Sequence, residues 1–180
     1  SQRRAAATAD RPRKSLVTAC TTGFSLSQSP WYAPFPMAGS RSRQHFCQSP
    51  TVVLYHAECA DGFGAAWAIW RQFPQARFMP VKHGNPPPDG LEGQRVVIVD
   101  FSYSRETLES MVRQTNELLV LDHHITAEKA LAGLPYAYFD LKKSGAVLAW
   151  ECAHDRPVPW ILEYIQDKDL WTWSLPLSRE

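Results

Sequence analysis

Leu118-Leu119-Val120-Leu121-Asp122-His123-His124-Ile125-Thr126 begins as an apolar run and ends in an acid and two imidazoles. The four apolar residues from Leu118 to Leu121 predict a buried strand. Thr126 can cap a following helix, with Glu128 in its favoured first turn. Asp122, His123 and His124 would then sit at the carboxyl end of a strand, where open α/β sheets bind their ligands. A carboxylate beside two neutral imidazoles suits borderline metals such as Mn, Fe, Co or Zn. A hydrogen-bonded turn would use the same residue types, so the other strand ends carry the argument.

Thr51 to Tyr55 and Arg95 to Val99 are further apolar, β-branched runs. The first ends in His56-Ala57-Glu58-Cys59-Ala60-Asp61-Gly62, the second in Asp100-Phe101-Ser102. A helix through Ala65, Ala66, Ile69 and Phe73 follows the first, and Gly62 and Gly64 would let it start close to bound groups. Arg77 to Val81 reads as a short strand, and residues 85–90 as a Pro-rich loop. Ser104 can cap a helix that carries Leu108, Met111 and Val112 at helical spacing. Tyr136 to Phe139 is a strand closing on Asp140. Lys142-Lys143-Ser144-Gly145 then leads into a helix with Leu148 and Trp150. A last helix starts at Pro157 or Pro159 and ends near Ile165, with Asp167-Lys168-Asp169-Leu170-Trp171 following it. Strands alternating with helices predict an α/β fold, a doubly wound, mostly parallel sheet with helices on both faces.

At 180 residues the chain is long enough for one domain with a sizeable core. Its net charge of +1 is unevenly spread. Residues 1–49 hold seven Lys and Arg and a single acid, Asp10, whereas residues 50–180 hold twelve bases and seventeen acids, a net of −5. The acidic portion has no basic stripe, which argues against long duplex nucleic acid as a partner. Residues 1–49 are rich in Ser, Arg, Ala and Pro and are expected to be disordered. They match a transit peptide in composition, or equally extra translated sequence upstream of Met37. The four cysteines form neither a paired metal spacing nor a dense disulfide framework, so a reducing, cytoplasmic setting is expected, or an organellar one if residues 1–49 are a transit peptide. No apolar run is long enough to span a bilayer.

Three strands therefore end in metal-ligand residue types, His56 with Asp61, Asp100, and Asp122 with His123, and Asp167 and Asp169 form a fourth group. One acid at a strand end is usually a turn or cap residue. Several at one sheet edge would repel strongly unless cations neutralised them. Two divalent ions about 3.5–4 Å apart are the natural solution, and such pairs serve phosphate-ester hydrolysis.

In this order, His56…Asp61-Gly62, Val99-Asp100-Phe101-Ser102, Asp122-His123-His124 and Asp167-Lys168-Asp169 resemble the motifs of the DHH phosphoesterase superfamily. The pattern His56-x-x-Cys59-x-Asp61-Gly62-Phe63, with Asp167-Lys168-Asp169-Leu170-Trp171, looks most like its nanoRNase (oligoribonuclease)-like phosphohydrolases. The resemblance covers about residues 51–173. It implies a hydrolase with two divalent ions, Mn²⁺ for choice, and a metal-activated hydroxide that attacks phosphorus. His56, Asp61, Asp100, His123 and Asp167 would be ligands, with Asp100 bridging the ions. Asp122 would orient the site from behind the ligands, and His124 would face the phosphate as stabiliser or acid. Lys142, Lys143, Ser144 and Gly145 resemble a phosphate-binding loop, against the alternative of a solvated surface.

Many relatives place an acid where this chain has Cys59, next to Glu58, so Cys59, Glu58 or a water would complete one ion's shell; Asp169 is a further candidate ligand. The expected substrates are short oligonucleotides, nucleoside phosphates, pyrophosphate or polyphosphate. A second copy of the chain is a candidate partner, and a membrane is not. A non-catalytic metal- or nucleotide-binding module is the alternative function, because Cys59 weakens one site. His83 and His154 read as ordinary surface or core histidines, and the tryptophans as core, with Trp171 and Trp173 able to border a cleft. The resemblance also implies a second, smaller domain, and the seven residues from Ser174 to Glu180 predict a chain truncated before it.

Overall fold

The computed structural model describes residues 49–179. The expectations for residues 1–49 thus fall, Ser49 apart, outside the described residues. Among the described residues, five parallel strands make one sheet: β1 (Val52–His56), β2 (Arg77–Val81), β3 (Arg95–Val99), β4 (Glu117–Asp122) and β5 (Ala137–Phe139), in the order β2-β1-β3-β4-β5. The doubly wound α/β fold read from the sequence is the one observed, and the sheet is parallel throughout. A parallel strand covered on both sides needs a continuous apolar run, which VVL in β1, VVIV in β3 and LLVL in β4 provide.

Alternate residues of those runs serve opposite faces. Val53, Val97, Val99, Leu119 and Leu121 pack under α1 (Ala60–Trp70), α4 (Gly145–Ala153) and α5 (Trp160–Asp169), joined by Ile69, Leu148's neighbours Val147 and Ala149, and Leu162. Val52, Leu54, Val96, Ile98 and Val120 pack on the other face with Leu108 and Met111 of α2 (Arg105–Gln114) and with Leu131, which follows α3 (Ile125–Ala130). Ser104 and Ser144 cap α2 and α4 through their hydroxyls. Trp67 and Trp150 stack at 5.9 Å, whereas Trp160 and Trp171 face solvent rather than filling the core.

Several local expectations give way to tertiary geometry. Thr126 does not cap α3: the Asp122 carboxylate accepts the His123 and His124 amides, and the helix begins at Ile125 with His124 at its N-cap, two residues earlier than a Thr126 cap would set. Phe73 lies beyond α1, which ends at Trp70. Gly62 serves close packing rather than ligand approach, since a Cβ there would lie 2.2 Å from the His56 carbonyl oxygen. Asp167 and Asp169 sit in the last turn of α5 and not after it. Among the described residues no helix is long and apolar enough to cross a membrane.

Candidate metal centre

The strand order reverses between β1 and β3, and a crevice at the carboxyl ends of strands is expected there. His56 ends β1, Asp100 follows β3, and Asp122, His123 and His124 follow one another at the end of β4. Asp61 comes from the first turn of α1 and Asp169 from the last turn of α5. Asp100 is the pivot. Its backbone is left-handed, with φ +54°, a conformation that aspartate tolerates better than most residues. Gly145 lies so close that a Cβ on it would be 2.5 Å from the Asp100 Cβ, so any side chain at 145 must displace Asp100.

The Asp100 carboxylate faces two donor groups with its two oxygens. Oδ2 lies 3.5 Å from His56 Nδ1, and Cys59 joins these two in a group whose ligand atoms are within 4.8 Å of one another. Oδ1 lies 3.2 Å from His123 Nε2, which is also 3.5 Å from Asp61 Oδ2 and 3.6 Å from Asp169 Oδ2. His56 Nδ1, Asp100 Oδ2 and Asp169 Oδ2 are buried yet have no hydrogen-bond partner. Such orphaned atoms are costly unless a missing group satisfies them. Donors sharing one small divalent ion lie roughly 3 Å apart, close to the 3.2–3.6 Å between the imidazole and carboxylate atoms here. These residues therefore fit metal ions, with Asp61, His123 and Asp169 on one side of Asp100 and His56 and Cys59 on the other.

Electrostatics agree. Burial pushes the Asp100 carboxyl up to about 7, with a further push from Asp61, although His123 opposes it. Burial, then Asp61, also raises Asp169. Burial lowers His56, as do His83 and His124. For His123 burial acts downward, but Asp100, Asp61 and Asp169 outweigh it and raise the imidazole. Desolvation of Asp122 is likewise outweighed, by His124 and Ser102, and its carboxyl is lowered. Hydrogen bonding to Asp122 raises His124 to about 9.

Without cations, Asp100 and His124 both hold protons more tightly folded than unfolded. Asp100's contribution is complete below its ordinary value near 4 and is lost by about 7; that of His124 is complete below about 6.5 and is lost through about 9. The thermal midpoint of the cation-free protein should therefore fall as pH rises from 5 to 9. Excess Mn²⁺ should raise it most at the alkaline end, because ligand binding stabilises only the folded state. Calorimetry across that range, with and without chelator, checks this; an alkaline rise in the cation-free midpoint would contradict it.

The structure separates the other sequence candidates from the cluster. Asp167 belongs to none of these groups: its carboxylate accepts from Thr172 Oγ1 at 2.5 Å, Ser174 N at 2.8 Å, Ser174 Oγ at 2.6 Å and Leu175 N at 3.2 Å. Burial acts against that charge, yet these donors hold the carboxyl far below its ordinary range. Glu58 is exposed and paired with Lys82. Lys143 pairs with Glu151 at 2.6 Å and Asp140 at 3.6 Å, and Lys142 is exposed. Gly145 N and Ala146 N donate to Asp61 at 2.6 and 2.9 Å, so the α4 terminus holds the Asp61 carboxylate. Ser144 spends its hydroxyl on capping α4.

Asp122 stands directly behind His124, accepting at 2.6 Å from Nδ1, and Ser102 Oγ donates to it at 2.5 Å. Sequence reasoning gave Ser102 no role; its place two residues after Asp100 was the available signal. His83, read as ordinary, packs its ring edge on His56 at 5.3 Å and lies 4.6 Å from Phe101. His154 is a core residue, stacked on Trp150 and bonded to the Ala68 carbonyl.

No family model matches the chain. It is 35% identical over 148 residues to an uncharacterized protein of Acanthamoeba polyphaga mimivirus, covering 72% of this chain and 35% of the viral protein. Its fold aligns with the crystal structure of an uncharacterized protein from Helicobacter pylori at a TM-score of 0.52 and 14% identity, covering 68% of this chain and 44% of that one. The chain thus spans about a third of the viral relative and less than half of the bacterial protein. The second likeness concerns the fold alone.

Proposed function

We propose that the chain is a metal-dependent phosphoesterase of DHH type that hydrolyses small phosphate esters. The observation that carries this reading is the Asp100 carboxylate set between two donor groups, with unpartnered buried atoms on both sides. Bound there, two divalent ions, Mn²⁺ for choice, would acidify a water and neutralise charge on the phosphoryl oxygens.

The chain's own residues do the rest. Asp61 is fixed by the α4 amides, so its oxygens face the site without a side-chain search. Asp122 fixes the His124 ring through Nδ1 and leaves Nε2 for the substrate, to hold a phosphoryl oxygen or protonate the departing one. His124 is the more exposed of the two imidazoles, as a group meeting substrate must be. The net acidic charge of residues 50–180 favours small substrates over long polymers.

The test is metal content measured together with hydrolysis of a Mn²⁺ panel spanning dinucleotides, nucleoside phosphates and pyrophosphate. Turnover with bound ions supports the enzyme; ions without turnover on any of them would leave a binding module. Cys59 gives a separate handle. Thiolate prefers soft ions, so Cd²⁺ should bind more tightly than Mn²⁺ and give a sulfur-to-metal charge-transfer band. Cys59→Ser should remove the band and weaken one ion; an unchanged spectrum would make Cys59 a packing residue.

A further inference from the structure

Beside the metal centre lies a cleft of about 530 Å³ that shares His56 and Cys59 with it. A group occupying this cleft therefore adjoins whatever the ions hold. Its walls are uneven in character. Phe63, on the first turn of α1, lines it while remaining 67% exposed, so its ring is open to a ligand. Tyr55 and Pro80 add apolar surface, and Asn85 adds amide donors and an acceptor.

The charges in the cleft narrow the occupant. Lys82 is the sole Lys or Arg among the described residues that line it, and it is paired with Glu58. Beyond the ions themselves, a second phosphate would find no uncompensated side-chain cation among the described residues there. A planar, uncharged ring with hydrogen-bonding edges would find an aromatic face and an amide.

We propose that this cleft takes the nucleobase of a nucleotide whose phosphate sits at the metal centre, with Phe63 as the face on which the base stacks. Phe63 is then the residue that distinguishes nucleotides from pyrophosphate, polyphosphate and sugar phosphates. The inference rests on the phosphoesterase reading for the placement of the phosphate, while the stacking face is a property of the cleft itself. Base–aromatic stacking tolerates any base, so preference among bases is weak.

The test uses the 180-residue chain loaded with Mn²⁺ and titrated calorimetrically with AMP and with ribose 5-phosphate. AMP should bind roughly tenfold or more tightly than ribose 5-phosphate, the size of one stacking contact. Phe63→Ala should erase that difference and leave ribose 5-phosphate unchanged, and Phe63→Tyr should keep it. Since Phe63 is mostly exposed, its loss does not threaten the core. Equal affinities in the unaltered chain, a difference that survives Phe63→Ala, or no binding of either ligand would overturn the proposal. Hydrolysis assayed alongside separates the two readings. A Phe63-dependent preference without turnover of any dinucleotide, nucleoside phosphate or pyrophosphate sinks the phosphoesterase and keeps the cleft; turnover without that preference sinks the cleft alone.

Discussion

Asp100→Asn should abolish hydrolysis and bring the bound metal to less than one ion per chain, with the fold retained. Asparagine is the informative replacement because it tolerates the left-handed backbone that residue 100 adopts. An alanine there would add strain to the loss of the carboxylate. The amide keeps the volume packed against Gly145 but cannot neutralise cations on both sides. Losing a group that stabilises charge at a reacting centre costs about a hundred- to a thousandfold in kcat, and losing a shared ligand should cost at least that. A second readout distinguishes this from simple damage. In the cation-free protein, Asp100→Asn removes a buried charge beside Asp61, so at pH 8 it should melt at or above the temperature of the unaltered cation-free chain. Two ions bound with activity within tenfold of the unaltered chain would rule out the bridging role.

Asp169→Asn and Asp167→Asn should behave oppositely. Asp169 Oδ2 is buried, unpartnered and 3.6 Å from His123 Nε2, so its loss should weaken one ion by about a hundredfold or more, given that even residues behind the ligands cost ten- to a hundredfold. Asp167 instead binds the turn from Thr172 to Leu175 through four hydrogen bonds. Asp167→Asn should keep the metal stoichiometry and lower the thermal midpoint. Because the Asp167 carboxyl is held far below its ordinary value, its contribution is present above about pH 4 and is lost in strong acid, so the two proteins should converge there. Metal analysis and melting of the two variants side by side provide the test. Retention of both ions in Asp169→Asn with loss in Asp167→Asn would restore the ligand that the DHH resemblance implies.

This pair of acids marks the boundary between what was legible in the sequence and what was not. The apolar runs of β1, β3 and β4 identified buried parallel strands because each is continuous and ends abruptly in polar ligand types. Strand ends of a doubly wound sheet meet at one edge, so His56, Asp100, Asp122 and His123 could be brought together on paper. Ser104 announced its helix because capping is a contact within four residues, whereas Ser144, read as part of a phosphate-binding loop, caps α4.

The use of groups joined over long distances was settled by packing. Residues two apart on a helix point about 200° from one another, so either Asp167 or Asp169 faces the cluster, and the packing of α5 on the sheet chooses Asp169. Lys142 to Gly145 resembled a phosphate-binding loop by sequence, but the amides of Gly145 and Ala146 donate to Asp61, more than eighty residues earlier. Lys143 looked available until Glu151, two helical turns on, and Asp140 took its charge. Local pattern fixes which residue types stand at an edge; which of them remain unsatisfied, and so free to hold an ion, depends on partners that only the packed chain brings within bonding distance.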